Sequence, residues 1–136
     1  MFFKNTINEN EDLIKVAALL IHAAKIDENY SETENQIIKK ALLEVGANNQ
    51  NIDKLLLNAK KIEESSNQIL EFTKEVKNME EHNKLKIVET LWRIIYSNNE
   101  IDIYESNLMR RLTGLLYINN KTMGDIKEKI KEENSK

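Results

Sequence analysis

The sequence contains no cysteine and no proline. Without cysteine there is no disulfide, no thiolate nucleophile and no cysteine-bound zinc. Without proline, long helices run uninterrupted. With only three glycines in 136 residues, the chain is also poor in the turn chemistry that β architecture needs. No apolar run approaches the roughly 20 residues of a membrane-spanning helix. The opening MFFKNTINENED has neither a long apolar core nor a small-residue cleavage site, so no signal peptide is expected. Basic residues are not in excess. Lys and Arg number 20 against 23 Asp and Glu, a net charge of −3, and no clustered basic run marks a nucleic-acid binder. A Gly-rich phosphate loop and a nucleophile elbow are both missing.

What remains is 40% hydrophobic and 32% charged, the balance of a soluble globular chain rather than a disordered one. A chain of this length buries roughly 65–70% of its unfolded surface. One domain over residues 1–136 is expected, with the cytoplasm as its location. Phe2 and Phe3 are expected to fold back onto the domain. Peripheral contact with a membrane surface is the other use of such a pair.

The dominant feature is an internal repeat. LKIVETLWRIIYSNNEIDIYESNLMRRLTGLL, from Leu85 to Leu116, recurs 71 positions earlier as IKVAALLIHAAKIDENYSETENQIIKKALLEV, from Ile14 to Val45. Apolar residues pair at Val16/Ile87, Leu20/Leu91, Ile21/Trp92, Ala24/Ile95, Ile38/Met109 and Ala41/Leu112. Polar residues pair at Asp27/Asn98, Ser31/Asp102, Glu34/Glu105 and Lys40/Arg111. Each copy reads as an apolar helix, a polar loop and a capped amphipathic helix. The expected fold is therefore an all-α bundle of about seven helices. Its two helix-loop-helix units cover about 10–46 and 80–117, and a two-helix connector covers 47–79.

In chain order, the first helix is expected to start near Asn8 or Asn10, with Glu11 and Asp12 on the positive end of its dipole. Ser31 with Glu34 is a capping box opening the second helix, and Gly46 is a natural stop for it. The third helix, from Asn51 to Glu64, turns Ile52, Leu55, Leu56, Ala59 and Ile62 inward. The fourth carries Ile69, Phe72, Thr73 and Val76 on one face and ends at Asn78. The fifth, from Glu80 to Tyr96, is apolar on nearly all sides and reads as the central buried helix. Within it Trp92 is a core anchor whose N–H is expected to reach a carbonyl. The sixth buries Leu108, Met109, Leu112 and Leu115. The seventh carries Met123, Ile126 and Ile130, and the tail from Lys131 is expected to fray.

Candidate chemistry sits in the two loops. Asp27, Asn29 and Ser31 alternate at positions 1, 3 and 5, with Glu34 at position 8. Asn98, Glu100, Asp102 and Glu105 repeat the pattern. Alternating oxygen side chains in a tight loop suit a hard divalent cation, Ca²⁺ or Mg²⁺ rather than Zn²⁺. Position 6 carries no glycine and position 12 no bidentate Glu, so neither loop is an EF-hand. A second reading accounts for the same residues without an ion: Ser31/Glu34 and Asp102/Glu105 are helix caps. His22 and His82 stand apart without a zinc-spaced partner. His22 aligns with Arg93 and is expected on the solvated edge of the first helix. Arg110 and Arg111 read as solvated charges. No catalytic residue is assigned.

Ala24-Lys25-Ile26-Asp27-Glu28 with Glu34 resembles the first motif of the TerB-like family, whose first helix ends in Ala-x-Ala-Asp-Gly. The stretch from Leu91-Trp92 through Tyr96, Asn98, Glu100, Ile101 and Asp102 to Glu105 is similar to the second motif, Leu-Trp-x-(apolar)-Ala-Tyr-Ala-Asp-Gly-Glu. The likeness covers about Glu11 to Ile130. Glu28 and Asn99 stand where the family has Gly, and Asn98 where it has Asp. The resemblance implies an all-helical cytoplasmic domain with acidic loops that hold a divalent metal. It also implies a part in stress response near the inner membrane, kinship with the middle region of a J-domain co-chaperone, and no catalytic reaction.

Two readings of function follow. In one, the chain is a non-enzymatic TerB-like domain that binds a divalent cation and docks to protein partners. In the other, it is a metal-free, co-chaperone-like interaction module whose loops serve only as caps. An enzyme assembled from distant residues would require a polar pocket at His22 or His82. No nucleic-acid partner is expected. A homodimer through a leftover apolar face stays open, without a heptad seam to support it.

Overall fold

A computed structural model describes residues 2–26, 31–66, 69–97 and 103–134, with side chains described from Glu11 onward. Seven helices appear in order: α1 (Phe2–Lys25), α2 (Glu32–Glu44), α3 (Ile52–Ser65), α4 (Leu70–Lys77), α5 (Glu81–Tyr96), α6 (Ile103–Leu115) and α7 (Asn120–Asn134). Among the described residues there is no strand. The all-α bundle is as the periodicity predicts.

Two helices form the centre. In α1 every residue from Val16 to Ile21, together with Ala23 and Ala24, is at most 1% exposed. The alanines let neighbours approach closely, and α1 packs most extensively on α3, then on α4, α5 and α2. Helix α5 is the second centre, with Ile87, Val88, Leu91, Ile94 and Ile95 fully buried between α7, α2 and α1. One continuous apolar cluster draws side chains from all seven helices. The connector helices are thus part of this core. Helix α3 covers α1, and α4 joins α1 to α6.

Several boundaries differ from expectation. Helix α1 begins at Phe2 rather than near Asn8. The segment has no Pro or Gly to stop it, and Asn inside a helix costs only a few tenths of a kcal/mol more than a good former, so an Asn cap is not obligatory. The side chains of Phe2 and Phe3 lie outside the described residues. On α3, Glu63 rather than Ile62 occupies the buried position. On α6, Leu115 is half-buried and Leu116 takes the core site.

Helix α7 does not fray at Lys131 but continues to Asn134. Asn119 caps its start, accepting from Lys121 N–H at 2.7 Å. Its far end is tied to α5. Glu133 meets Arg93 at 3.3 Å, Lys129 meets Glu89 at 2.9 Å, and Asn134 Nδ2 donates to the Tyr96 carbonyl at 2.5 Å. Trp92 is a core anchor as expected, 5% exposed. Its indole N–H, however, donates to the Met123 thioether at 3.2 Å rather than to a carbonyl.

Candidate functional site

The best-defined local structure stands at the start of α2. Ser31 has extended backbone, and its hydroxyl accepts from Glu34 N–H at 3.2 Å. Glu34 Oε1 accepts in return from Ser31 N–H at 2.9 Å and from Ser31 Oγ at 3.2 Å. This is the capping box read from the sequence. Its acid is fully buried, at 1% exposure. Glu105 stands at the same third position of α6 and is 2% exposed. Two carboxylates are therefore held out of water at the N-terminal turns of equivalent helices, where the helix dipole and the free N–H groups favour negative charge.

Of the eight candidate ligands, Ser31, Glu34 and Glu105 fall within the described structure. Asp27, Asn29, Asn98, Glu100 and Asp102 lie outside the described residues. Among the described residues no group of three His, Asp or Glu side chains is arranged around a common point. The ends of the two loops do come together. Ile26, before the first loop, and Tyr104, just after the second, line one cleft. Thr33, after the first loop, and Ser97, before the second, line another. Sequence spacing treats the loops as separate sites, whereas the fold brings the described residues that flank them into shared clefts.

His22 stands at the edge of α1 as expected, its side chain 34% exposed, and it is also tied to α3. Its Nδ1 lies 3.1 Å from Glu63 Oε2, and Lys25 Nζ donates to Glu63 Oε1 at 2.6 Å. Glu63 is only 9% exposed; the Lys25 ammonium neutralises it, and the His22 ring, one helical turn away on α1, engages its other oxygen. The sequence does contain a signal for Glu63: it falls on the inward stripe after Ile52, Leu55, Leu56 and Ala59, where an acid needs a partner. His22 also lines the first of the clefts above, with Ile26, Tyr104, Asn107, Leu108 and Arg111. His82 is exposed in the first turn of α5.

Three groups are shifted away from their ordinary ionisation. Glu75 on α4 is raised, first by burial and then by its hydrogen bond to and repulsion from Asp12 on α1. Glu44 on α2 is lowered by its hydrogen bond from Lys86 on α5, which is 2.6 Å long. Tyr96 is raised by burial and by the nearby charge of Glu128. The Glu75 and Glu44 contacts tie helices together across the bundle. No helix among the described residues is long and apolar enough to cross a membrane.

A family model described as tellurite resistance protein TerB matches residues 13–128. No curated protein and no solved structure matches the chain.

Proposed function

The chain belongs to the TerB family, and from that premise we propose that it is a non-enzymatic member that holds a divalent cation between its two acidic loops and docks to protein partners. One observation carries this reading: the residues flanking both loops line shared clefts at the same end of the bundle. A single ion could then draw oxygen ligands from both copies, which answers the neutral Asn98 in the second. Asp27, Asn29, Glu100 and Asp102 would supply the open ligands, with Asn98 as a neutral oxygen. Ser31, Glu34 and Glu105 suit a supporting role, since Glu34 Oε1 already accepts twice from Ser31 and both acids are buried at helix starts. An all-oxygen donor set fits Ca²⁺ or Mg²⁺ better than Zn²⁺. On this reading the domain works in the cytoplasm, in a stress response.

The completed capping box favours a second reading. It accounts for Ser31 and Glu34 without any ion, which makes the chain a metal-free interaction module. A thermal melt of chelator-treated protein, repeated with each divalent ion, separates the two. An ion at a hundredfold excess over its Kd stabilises by about 2.7 kcal/mol, a midpoint rise on the order of 10 °C at this size. A shared site requires that Asp27→Ala and Asp102→Ala each remove that rise, read against each variant's own ion-free melt because Asp102 also caps a helix. Loss with only one variant means separate sites, and no rise with any ion selects the metal-free module.

A further inference from the structure

The cleft between the end of α1 and the first half of α6 has features that neither loop requires. Its volume is about 480 Å³, within the few hundred to 1,000 Å³ typical of small-ligand sites. Tyr104, Asn107, Leu108 and Arg111 face it from α6 at a spacing of three, four and seven residues, a single helical stripe. His22 and Ile26 face it from α1, one turn apart. The apolar floor is Leu108, 5% exposed, with half-buried Ile26 beside it. Tyr104 stands at the rim, 70% exposed.

The charges in and around this cleft are unequally committed. Lys25 is neutralised by Glu63 at 2.6 Å. Arg93 on α5 is held by Glu89 and Glu133. Among the described residues Arg111 has no carboxylate within ion-pair distance, although it lines a cleft whose other polar side chains are Asn107, His22 and the Tyr104 phenol. Glu63 engages Nδ1 of His22 and so leaves Nε2 as the ring nitrogen for a ligand. A guanidinium and an amide one turn apart on α6, lining a cleft with an apolar floor, match a carboxylate in charge and hydrogen-bonding capacity.

We propose that this cleft binds a monocarboxylate with an apolar body. The carboxylate sits on the Arg111 guanidinium and the Asn107 amide, and the body lies on Leu108 and Ile26 beneath Tyr104. The cleft takes the same chemistry from a free small acid or from the carboxyl end of an apolar peptide.

The test is a ¹⁵N NMR titration of the full chain with phenylbutyrate, phenylbutylamine and phenylbutanol. The expected result is saturable shifts over residues 22–26 and 104–111 with phenylbutyrate alone. Affinity should fall about tenfold or more in Arg111→Gln, whose thermal melt should match the parent. A peptide ending in Leu-Phe, as free acid and as amide, identifies the source. If the free acid binds more tightly than phenylbutyrate, the ligand is a chain end; if more weakly, it is a small acid. The proposal is overturned if the amine or alcohol binds as well, if Arg111→Gln binds undiminished, or if no saturable shift appears up to millimolar phenylbutyrate.

Discussion

Gly46 and Tyr117 hold the same place in the two copies of the repeat, 71 residues apart, and both have positive φ, +117° and +57°. Each closes a helix by the same pair of bonds. Ala47 N–H reaches Leu42 O at 2.9 Å and Gly46 N–H reaches Leu43 O at 3.4 Å. Ile118 N–H reaches Thr113 O at 3.0 Å and Tyr117 N–H reaches Gly114 O at 3.2 Å. This is the Schellman ending, which favours glycine at the left-handed position. The second copy keeps the motif with a tyrosine, at a backbone cost of about 1–2 kcal/mol.

Tyr117→Gly should therefore stabilise the protein. The gain is about 0.5–1 kcal/mol after the glycine's extra unfolded-state entropy and the loss of the exposed Lys77–Tyr117 contact. That is a midpoint rise of about 2–5 °C. Gly46→Ala should cost about 1 kcal/mol or more, all of it from the backbone, because a Cβ there meets nothing within 4 Å. Paired thermal melts check both signs, and a destabilised Tyr117→Gly would refute the account.

Glu75 predicts a pH dependence. Its folded pKa is raised above 4.5, so the native state binds this proton more tightly than the unfolded chain. The corresponding stability is present in full below pH 4.5 and is lost as pH rises through the folded pKa. Glu75→Gln removes the loss. In urea unfolding the variant should gain on the parent from acid to neutral pH and be the more stable at neutral pH. A difference that does not change with pH would contradict this.

Lys84 is a buried cation, 7% exposed, whose Nζ donates to the Leu116 carbonyl at 3.2 Å beyond the end of α6. Lys84→Met keeps the stem and removes the donor. The Lys84 Nζ also pairs with the exposed Glu81 at 3.2 Å, so the substitution should cost about 1.5–3 kcal/mol, of which high salt removes only the small share of that exposed pair. Lys121→Ala breaks an exposed pair with Asp125 and should cost at most about 0.5 kcal/mol. Denaturant midpoints of the two variants in low and high salt test the contrast.

Met123→Leu nearly conserves volume yet leaves the Trp92 N–H without its thioether acceptor. A cost of about 1–2 kcal/mol is expected, more than the swap of hydrophobes alone. The tryptophan emission should change as the indole loses its partner. Trp92→Phe in the Met123→Leu background isolates the pair by a double-mutant cycle.

Much of the fold could be read from the chain because its signals are local. Ser31 and Glu34 lie three residues apart and form the box that their spacing predicts, and Gly46 ends α2 where a left-handed residue is needed. Phe72, Thr73 and Val76 share a buried face because helical periodicity is local too. What the chain conceals depends on partners distant in sequence. Glu63 falls on the inward stripe of α3, but its partners are hidden until α3 lies across α1 and presents it to His22 and Lys25. The polar tail after Lys131 stays helical because Arg93 and the Tyr96 carbonyl hold it, some 40 residues back. The meeting of the two loop ends is likewise a product of packing, and no spacing within either loop encodes it.

The late position of α7 has a consequence for synthesis on the ribosome. The central helix α5 emerges with the Trp92 N–H and the Tyr96 carbonyl both lacking the partners that Met123 and Asn134 later supply. Met123, Ile126 and Ile130 also complete the apolar cluster around it. A nascent chain that stops short of α7 therefore displays the open flank of its own core, a surface that chaperones bind and that aggregation exploits. Emergence of α7 from the exit tunnel is the step that seals it.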